Sequence, residues 1–301
     1  METMRVGIFD ELTFFSRVHP LVAAGYFVEL FTLLLIFNHL LLTLALFAGL
    51  SGLCSWYFNR QKVLSTLKGV GSLMVLIWLF NVVLNQTGAH ALWVGHLGSL
   101  TFRVTQTAVL YGLTMALSLG GMILAFVLFN GVITTPKLSY LLFPVVPRLA
   151  MLLTISLRMV NLFTQKFRRL VMLQKTRGVV VSEGSWRLRL QKTGRLLRIL
   201  LIDSVSSAME TAVLMEARGF GSKKRSHYQT YRWQAMDGAF GLVSLVMFGL
   251  VIGLRTFGWG WTGDITQFTL INGSDGWLAV SVILFTSLPL MGEVGYRVCE
   301  N

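Results

Sequence analysis

The sequence predicts an all-α, polytopic membrane protein with about six transmembrane helices and a cytoplasmic domain of long amphipathic helices. First, 54% of the 301 residues are hydrophobic and only 13% are charged. Second, several charge-free runs are each long enough for a helix across a hydrocarbon layer of ~30 Å. Third, the stretch between Arg148 and Arg225 carries 16 Lys and Arg against four acids, and such a block belongs in water beside the membrane.

Helices are expected in the charge-free runs because lipid offers the backbone no partners and the runs lack the alternating polarity of barrel strands. The pair Asn38-His39 divides the first apolar region, Leu21 to Phe58, into two short helices, the first of which contains Glu29. A loop around Gln86 to Gln106 joins the third and fourth spans. The later spans are predicted at roughly Gly69 to Asn85, Thr107 to Asn130, Gly238 to Leu254 and Trp277 to Tyr296. Three segments follow: membrane helices in 1–133, a basic cytoplasmic domain in 134–233, and membrane helices in 234–301.

The charge of the loops predicts the orientation, because short cytoplasmic loops accumulate Lys and Arg. With the amino terminus inside, one side holds the basic block together with Arg5, Arg17, Arg60, Lys62 and Lys68. The opposite side keeps Arg103, Arg255, Asp264 and Asp275. We therefore expect the basic block and both termini to be cytoplasmic in a multi-pass protein of the inner membrane.

Two long amphipathic helices are predicted inside the basic block. The first runs from Arg148 to about Lys175 and mixes cations with apolar residues. The second begins near Trp186 and ends at Gly219, which can adopt the left-handed conformation of a helix stop. Beyond Asp203, small residues recur at spacings of three and four, which lets another helix approach closely. They are Ser204, Ser207, Ala208, Thr211 and Ala212.

Each of these helices ends in a tripeptide of the same type, Thr176-Arg177-Gly178 and Ala217-Arg218-Gly219. An Arg at a helix carboxyl end is favoured by the helix dipole, and its planar guanidinium can bind a carboxylate of a partner in a bidentate way. The alternative is a helix end at which the Arg only complements its own dipole. Two copies 41 positions apart favour a docking function.

These tripeptides, at the ends of two basic helices, resemble those of the transmembrane T component (EcfT/CbiQ-like) of energy-coupling factor (ECF) transporters, the bacterial importers of vitamins and transition-metal ions. Further similar positions are Thr134-Thr135-Pro136, Leu138, Pro147, Arg158 and His19-Pro20-Leu21. Members of the family often place a basic residue shortly after that first Pro, where this chain has Val22-Ala23-Ala24.

The resemblance implies that the chain is a non-catalytic subunit of an ATP-dependent transporter. Two cytoplasmic ABC-type ATPases would each receive one tripeptide, so that Arg177 and Arg218 contact acidic groups in their grooves. The small-residue stripe Ser204, Ser207, Ala208, Thr211 and Ala212 would contact a separate substrate-binding membrane subunit, the S component. The chain has no Gly-Lys-Ser or Gly-Lys-Thr phosphate loop, in agreement with ATP hydrolysis by partners. No cofactor and no nucleic acid partner are expected.

Two other functions are compatible with parts of the sequence. Gly49-Leu50-Ser51-Gly52 matches the turn that presents the serine of rhomboid-like intramembrane proteases, but the last two predicted spans lack the His that such a mechanism needs. A membrane scaffold whose polybasic block binds anionic lipid is the second alternative.

No metal site is expected. The two cysteines, Cys54 and Cys299, are far apart in the sequence, and the five histidines are dispersed except for His90 and His96. These two residues are interpreted as part of a polar interfacial loop. Glu29 is a lone carboxylate, which we expect to face another helix or the interface.

Overall fold

The computed structural model describes residues 14–85, 91–97, 100–178, 184–219, 231–260 and 273–300. Ten α-helices and one two-stranded antiparallel hairpin lie within these ranges. In chain order they are α1 (Phe14–Arg17), α2 (Pro20–Ile36), α3 (Leu40–Tyr57), α4 (Arg60–Leu84), β1 (Ala91–Leu97), β2 (Leu100–Thr105), α5 (Gln106–Val132), α6 (Thr135–Leu142), α7 (Pro147–Thr176), α8 (Trp186–Ala217), α9 (Ala235–Thr256) and α10 (Gly273–Glu300).

The chain divides into two compact units, with boundaries after Thr134 and before Tyr231. The first, which we call the membrane unit, contains α1 to α5, the hairpin, α9 and α10. The second, which we call the arm unit, contains α6, α7 and α8.

The predicted polytopic all-α class is confirmed. Five helices, α3, α4, α5, α9 and α10, are long and apolar enough to cross a membrane, and α2 is a shorter apolar helix of 17 residues. The predicted division at Asn38-His39 is also confirmed, because α2 ends at Ile36 and α3 begins at Leu40. The six predicted spans correspond to these six helices.

Two boundaries differ from the prediction. Helix α4 begins at Arg60, well before the expected Gly69, and so includes Lys62 and Lys68. Cations are tolerated in the first turns of α4 because their long side chains can extend from the helix start towards water. The Lys62 ammonium also lies over the Phe58 ring, 4.3 Å from the ring centroid. The expected loop at Gln86 to Gln106 contains the β1–β2 hairpin, whose β-branched and aromatic residues favour strands.

Contacts between the helices of the membrane unit show in which direction each helix runs. Helices α2 and α9 run parallel, because the start of α2 at His19 bonds to Asp237 near the start of α9. At the other end of the same pair, Arg255 lies over the Phe37 ring at 5.0 Å. Helix α5 runs opposite to α2, since Phe129 near its end packs on Phe27 with ring centroids 5.5 Å apart. We name the two ends of the unit the His19 end and the His39 end.

The chain leaves the membrane unit and returns to it at the same end. Helix α5 finishes at Val132, close in the chain to Phe129, and therefore at the His19 end. The returning chain passes Tyr231 and Trp233, whose rings lie 6.4 Å and 4.9 Å from that of His19. Both connections to the arm unit thus start from the His19 end.

A buried carboxylate joins the starts of α2 and α9 at this end. Asp237 is 2% exposed. Its Oδ1 accepts the backbone N–H of His19 at 3.1 Å, and its Oδ2 accepts that of Gln234 at 3.0 Å, within a capping box at the start of α9. The His19 imidazole in turn accepts the N–H of Leu21 through Nδ1 at 3.3 Å. Helix-start N–H groups that lack partners within their own helices are satisfied in this way.

A second buried carboxylate performs a related function at the His39 end. Asp275, in the first turn of α10, is 3% exposed, and its Oδ2 lies 3.5 Å from His39 Nε2. Its Oδ1 accepts the N–H of Gly260 at 3.0 Å, and the carbonyl of Gly260 accepts from Arg255 at 3.4 Å. This network connects the start of α3, the end of α9 and the start of α10.

The serine motif Gly49-Leu50-Ser51-Gly52 lies within α3, where it serves helix packing. A Cβ at Gly49 would lie 2.2 Å from Thr286 Oγ1 and 2.8 Å from Thr286 Cβ, so α3 and α10 approach closely there. The Ser51 hydroxyl donates to the carbonyl of Ala48 at 2.8 Å, in its own helix. The motif is a helix contact formed by a small residue.

Replacing Gly49 by Ala should lower the thermal unfolding midpoint of the purified chain in detergent. The added methyl group would lie 2.8 Å from the Thr286 Cβ, which no side-chain rotation moves, and such overpacking costs about 1–3 kcal/mol. Gly52→Ala is the matched control, because nothing lies within 4 Å of a Cβ at that position. Equal midpoints for the two variants would contradict the close α3–α10 contact.

Asp237→Ala should destabilise the membrane unit more than Asp237→Asn. The Ala variant leaves the buried N–H of His19 without an acceptor, at about 1–3 kcal/mol, and also removes the acceptor of the part-buried Gln234 N–H, whereas Asn retains one acceptor oxygen. Asp203→Ala is a suitable control, since the Asp203 side chain is 55% exposed. The measurement is again the thermal midpoint, and an unchanged midpoint in Asp237→Ala would show that this carboxylate does not hold α2 to α9.

Candidate docking site

The arm unit consists mainly of two long helices with well-defined starts. Helix α7 has 30 residues and begins with Pro147, whose fixed φ and missing N–H suit the first turn. Helix α8 has 32 residues and begins at Trp186, as the sequence predicts. At 1.5 Å per residue the two helices are about 45 and 48 Å long.

Helices α7 and α8, which we call the two arms, end in nearly the same backbone conformation. Arg177 has φ −87° and ψ 10°, and Arg218 has φ −82° and ψ 5°. The glycines that follow are left-handed, with φ of 76° at Gly178 and 73° at Gly219. Their N–H groups donate to the carbonyls of Lys175 at 3.1 Å and Glu216 at 2.8 Å. The predicted glycine helix stop is therefore present in both arms.

All six residues of the two tripeptides are exposed: Thr176, Arg177, Gly178, Ala217, Arg218 and Gly219. The Thr176 hydroxyl donates to the carbonyl of Leu173 at 2.7 Å, so it is used within its own helix. Ala217 and the glycines offer no polar side chain. Each tip thus presents one functional group, a guanidinium, and among the described residues neither has a carboxylate within 4.0 Å.

The arms contact each other around a polar crossing that the sequence analysis missed. The Lys166 ammonium of α7 binds Asp203 of α8 at 2.5 Å and donates to the Ser207 hydroxyl at 3.2 Å. The Lys166 and Asp203 side chains are 40% and 55% exposed, so the pair contributes at most about 1 kcal/mol. The sequence feature that could have indicated this contact is Asp203, an acidic residue within a strongly basic segment.

Apolar burial in α7 and α8 is sparse. Among their described residues only Ala150, Leu196 and Leu200 are fully buried. By contrast, large apolar side chains such as Val205 and Met209 are 58% and 67% exposed. A surface of this kind is typical of a segment that contacts another protein or the membrane.

The predicted small-residue stripe is divided by the crossing. Ser204 and Ser207 are half-buried, and the Ser207 hydroxyl is occupied by Lys166. The rest of the stripe, Ala208, Thr211 and Ala212, is exposed. The Thr211 hydroxyl donates to the carbonyl of Ser207 at 2.7 Å. Only Ala208, Thr211 and Ala212, the carboxyl-terminal part of the stripe, are free to approach another helix.

One buried cation precedes the arms. Lys137, directly after Thr134-Thr135-Pro136, is 6% exposed, and this burial lowers the pKa of its ammonium. The sequence analysis did not select it, because a single Lys after a Pro carries no pattern.

The other residues considered from the sequence do not form a site. His90 lies outside the described residues, and His96 lies in β1 with a side chain that is also outside them. Within the described ranges no three His, Cys, Asp or Glu residues are grouped to hold a metal ion. Glu29 is half-buried and contacts Ser244 of α9, as expected for a carboxylate that faces another helix.

Residues 12–228 match the family model described as cobalt transport protein, CbiQ. The chain belongs to this family. Relatives of this CbiQ-family chain carry the name energy-coupling factor transporter transmembrane protein EcfT. The relative from Listeria innocua is 34% identical over 112 residues, which are 37% of this chain and 42% of that protein. Those from Acidaminococcus fermentans and Bacillus subtilis are 31% and 26% identical over 206 and 201 residues, which are 64% and 63% of this chain and 74% of each relative.

The extent of these matches differs between relatives. The chain spans 42% of the Listeria innocua protein and 35% of the one from Staphylococcus aureus, but 74% of the one from Acidaminococcus fermentans. Together with the family match, they confirm the resemblance to T components of ECF transporters.

Gly178→Ala should loosen the end of α7, because an Ala residue in the left-handed region costs about 1 kcal/mol or more. Gly194→Ala is the matched control, since Gly194 lies inside α8 with nothing within 4 Å of an added Cβ, and Ala favours a helix interior by about 1 kcal/mol over Gly. Hydrogen exchange of the last turn of α7 should accelerate only in the first variant. If both variants exchange like the parent chain, the left-handed turn does not hold the tip.

Proposed function

We propose that this chain is the transmembrane coupling subunit of an ATP-driven ECF-type importer, and that the tips of its two arms dock two cytoplasmic ABC-type ATPases. The observation that carries the proposal is the repetition of one structure: an exposed Arg on a left-handed glycine stop, once at the end of α7 and once at the end of α8. The printed name of the relatives, a transmembrane protein of an energy-coupling factor transporter, supports it.

The chemistry of each tip suits an acidic groove. The negative end of the helix dipole favours a cation there, and Arg binds a carboxylate with two parallel hydrogen bonds. Because Arg177 and Arg218 are exposed and have no described carboxylate neighbour, a partner can supply one without breaking an internal contact. Two equivalent tips match two partners of one protein family.

The distribution of charge supports an arm unit in the cytoplasm. The His19 end of the membrane unit carries Arg17 and, after α3, Arg60 and Lys62. The described charges of the His39 end include Arg255 and Asp275. Because cytoplasmic loops accumulate Lys and Arg, the His19 end lies inside. The chain is then a protein of the bacterial inner membrane whose carboxyl-terminal helix α10 also ends in the cytoplasm.

The arms transmit motion from the ATPases to the substrate-binding subunit in this proposal. Two helices that are joined mainly at one crossing can change their mutual angle without rupture of a large core. The exposed carboxyl-terminal part of the stripe on α8 would contact the S component. It consists of Ala208, Thr211 and Ala212, and the exposed apolar residues Val205 and Met209 lie nearby in the sequence. Vitamins or transition-metal ions are the proposed cargo, and the S component selects among them.

Reversal of either tip charge should release an ATPase, whereas reversal of a charge elsewhere on α8 should not. We expect Arg177→Glu and Arg218→Glu to lose ATPase copurification in mild detergent, because removal of one partner from a docked charge pair costs about 2–5 kcal/mol, or at least about 30-fold in affinity. Arg195→Glu and Arg198→Glu are the controls, since both residues are exposed along the shaft of α8.

The same series separates docking from lipid adsorption. A polybasic scaffold that binds anionic lipid responds to the number of charges removed, whichever they are, and to ionic strength. Equal loss of ATPases in all four variants would therefore exclude docking through the tips. Mass spectrometry of the purified complex should identify two ATPases and a small apolar membrane protein.

A further inference from the structure

Helix α4 presents an exposed face that is cationic at the helix start and apolar beyond it. Among its residues only Val63 and Val70 are buried, and they mark the side that packs on the rest of the protein. Five exposed residues fall within about 100° of the helix circumference on another side. We call them the Lys68 face: Arg60, Leu64, Lys68, Val75 and Leu79. Its three apolar side chains are more than half exposed, at 57%, 62% and 54% in chain order.

The cations of this face have no acidic residue on the elements around them. Helix α4 packs mainly on α5, β2 and α3, and neither α4 nor any of these elements contains Asp or Glu. Acidic residues are absent from the whole sequence between positions 30 and 182. In the part of the chain that the structure describes, no carboxylate lies within 4.0 Å of Arg60 or Lys68. These elements therefore leave the positive charge of the face uncompensated.

The depth of Lys68 in the membrane adds a second constraint. About 20 residues cross the ~30 Å hydrocarbon layer, so a span that ends with α4 at Leu84 begins near Ser65. Lys68 then lies about one turn inside this layer. Trp56, 55% exposed in the last turn of α3, marks the nearby interface, which Trp favours. A cation at this depth is costly unless its long side chain extends back to the interface and meets an anion there.

We propose that the Lys68 face binds an anionic phospholipid of the leaflet at the His19 end, with its phosphate between Arg60 and Lys68 and one acyl chain along Val75 and Leu79. The ligand must combine an anionic head with an apolar tail, because cations and exposed apolar side chains follow one another on a single helix face. An acidic protein segment in water would compensate only the cations. Arg binds phosphate in a bidentate way, and Lys binds it as a point charge. Gly71, with nothing within 4 Å of an added Cβ, leaves room for the acyl chain.

Quenching of a local fluorophore by labelled lipids tests this site. The fluorophore is attached to Ser65→Cys or Ser72→Cys, both at exposed positions of α4, in a full-length chain with Cys54→Ala and Cys299→Ser. The chain and the partners that copurify with it are reconstituted into phosphatidylcholine vesicles. These vesicles contain nitroxide-labelled phosphatidylglycerol or nitroxide-labelled phosphatidylcholine. Phosphatidylglycerol should reach half-quenching at a mole fraction at least about fivefold lower, which is the contribution of one Lys or Arg near anionic lipid.

Charge removal on two sides of the same helix shows whether the preference belongs to the Lys68 face. Arg60→Gln and Lys68→Gln should each lower it about fivefold, and the double variant should abolish it. Lys62→Gln is the matched control, because Lys62 is an exposed cation of the same helix start whose ammonium lies over the Phe58 ring. Equal reductions in the three single variants would overturn the proposal, since general surface charge would then account for the preference.

Two other outcomes would also overturn the proposal. Loss of the preference on addition of soluble glycerol phosphate would assign the cations to a free phosphate group. Protection of the label from both lipids would show that a protein partner covers the face. Each labelled chain must retain the thermal transition of the parent, and the two label positions, Ser65 and Ser72, protect the test against one variant that fails to fold.

Discussion

The membrane unit depends on two buried carboxylates, Asp237 and Asp275, which join α2 and α3 to α9 and α10. Asp237 satisfies backbone N–H groups of both α2 and α9, and Asp275 connects His39 with the Gly260 turn. Both carboxylates are almost fully buried within the protein, so an N–H that loses its acceptor there costs more than one at the surface, where water can replace the partner. The polypeptide leaves the unit after α5 and returns almost one hundred residues later at Tyr231. Contacts at both ends are needed to fix α9 and α10 against α2 and α3 after such an excursion.

Within the membrane unit, this closure places both chain segments that border the arm unit, the end of α5 and Tyr231, at the His19 end. The arms themselves are held differently, by an exposed ion pair and a small apolar contact around Leu196 and Leu200. Hydrogen bonds buried within the protein are costly to break, whereas an exposed ion pair is worth at most about 1 kcal/mol. The chain therefore combines a membrane part with fixed helix positions and a pair of helices whose angle can change at low cost.

Local signals allowed much of the fold to be predicted from the sequence. Pro147 and Gly178 mark the limits of α7, and the polar pair Asn38-His39 divides the first apolar region. The Asp237 bond to His19 and the Lys166–Asp203 pair were not found, because they join residues 218 and 37 positions apart and no periodicity reports such contacts. The hairpin was missed for a related reason, since short strands next to long apolar helices leave a weak pattern. The two Arg-Gly helix ends could be predicted because each arginine and its glycine are adjacent in sequence.

The position of the crossing sets how the two tips respond to the same rotation. Lys166 lies eleven residues before Arg177, and Asp203 lies fifteen residues before Arg218, which correspond to helix lengths of about 16 Å and 22 Å. A change in crossing angle therefore moves Arg218 about a third further than Arg177. If ATPases dock on the two tips as proposed, they experience unequal displacements although the tips share one backbone structure. Under that proposal a symmetric closure of the two partners would tilt α8 relative to α7, and α8 carries the exposed stripe proposed for the substrate-binding subunit.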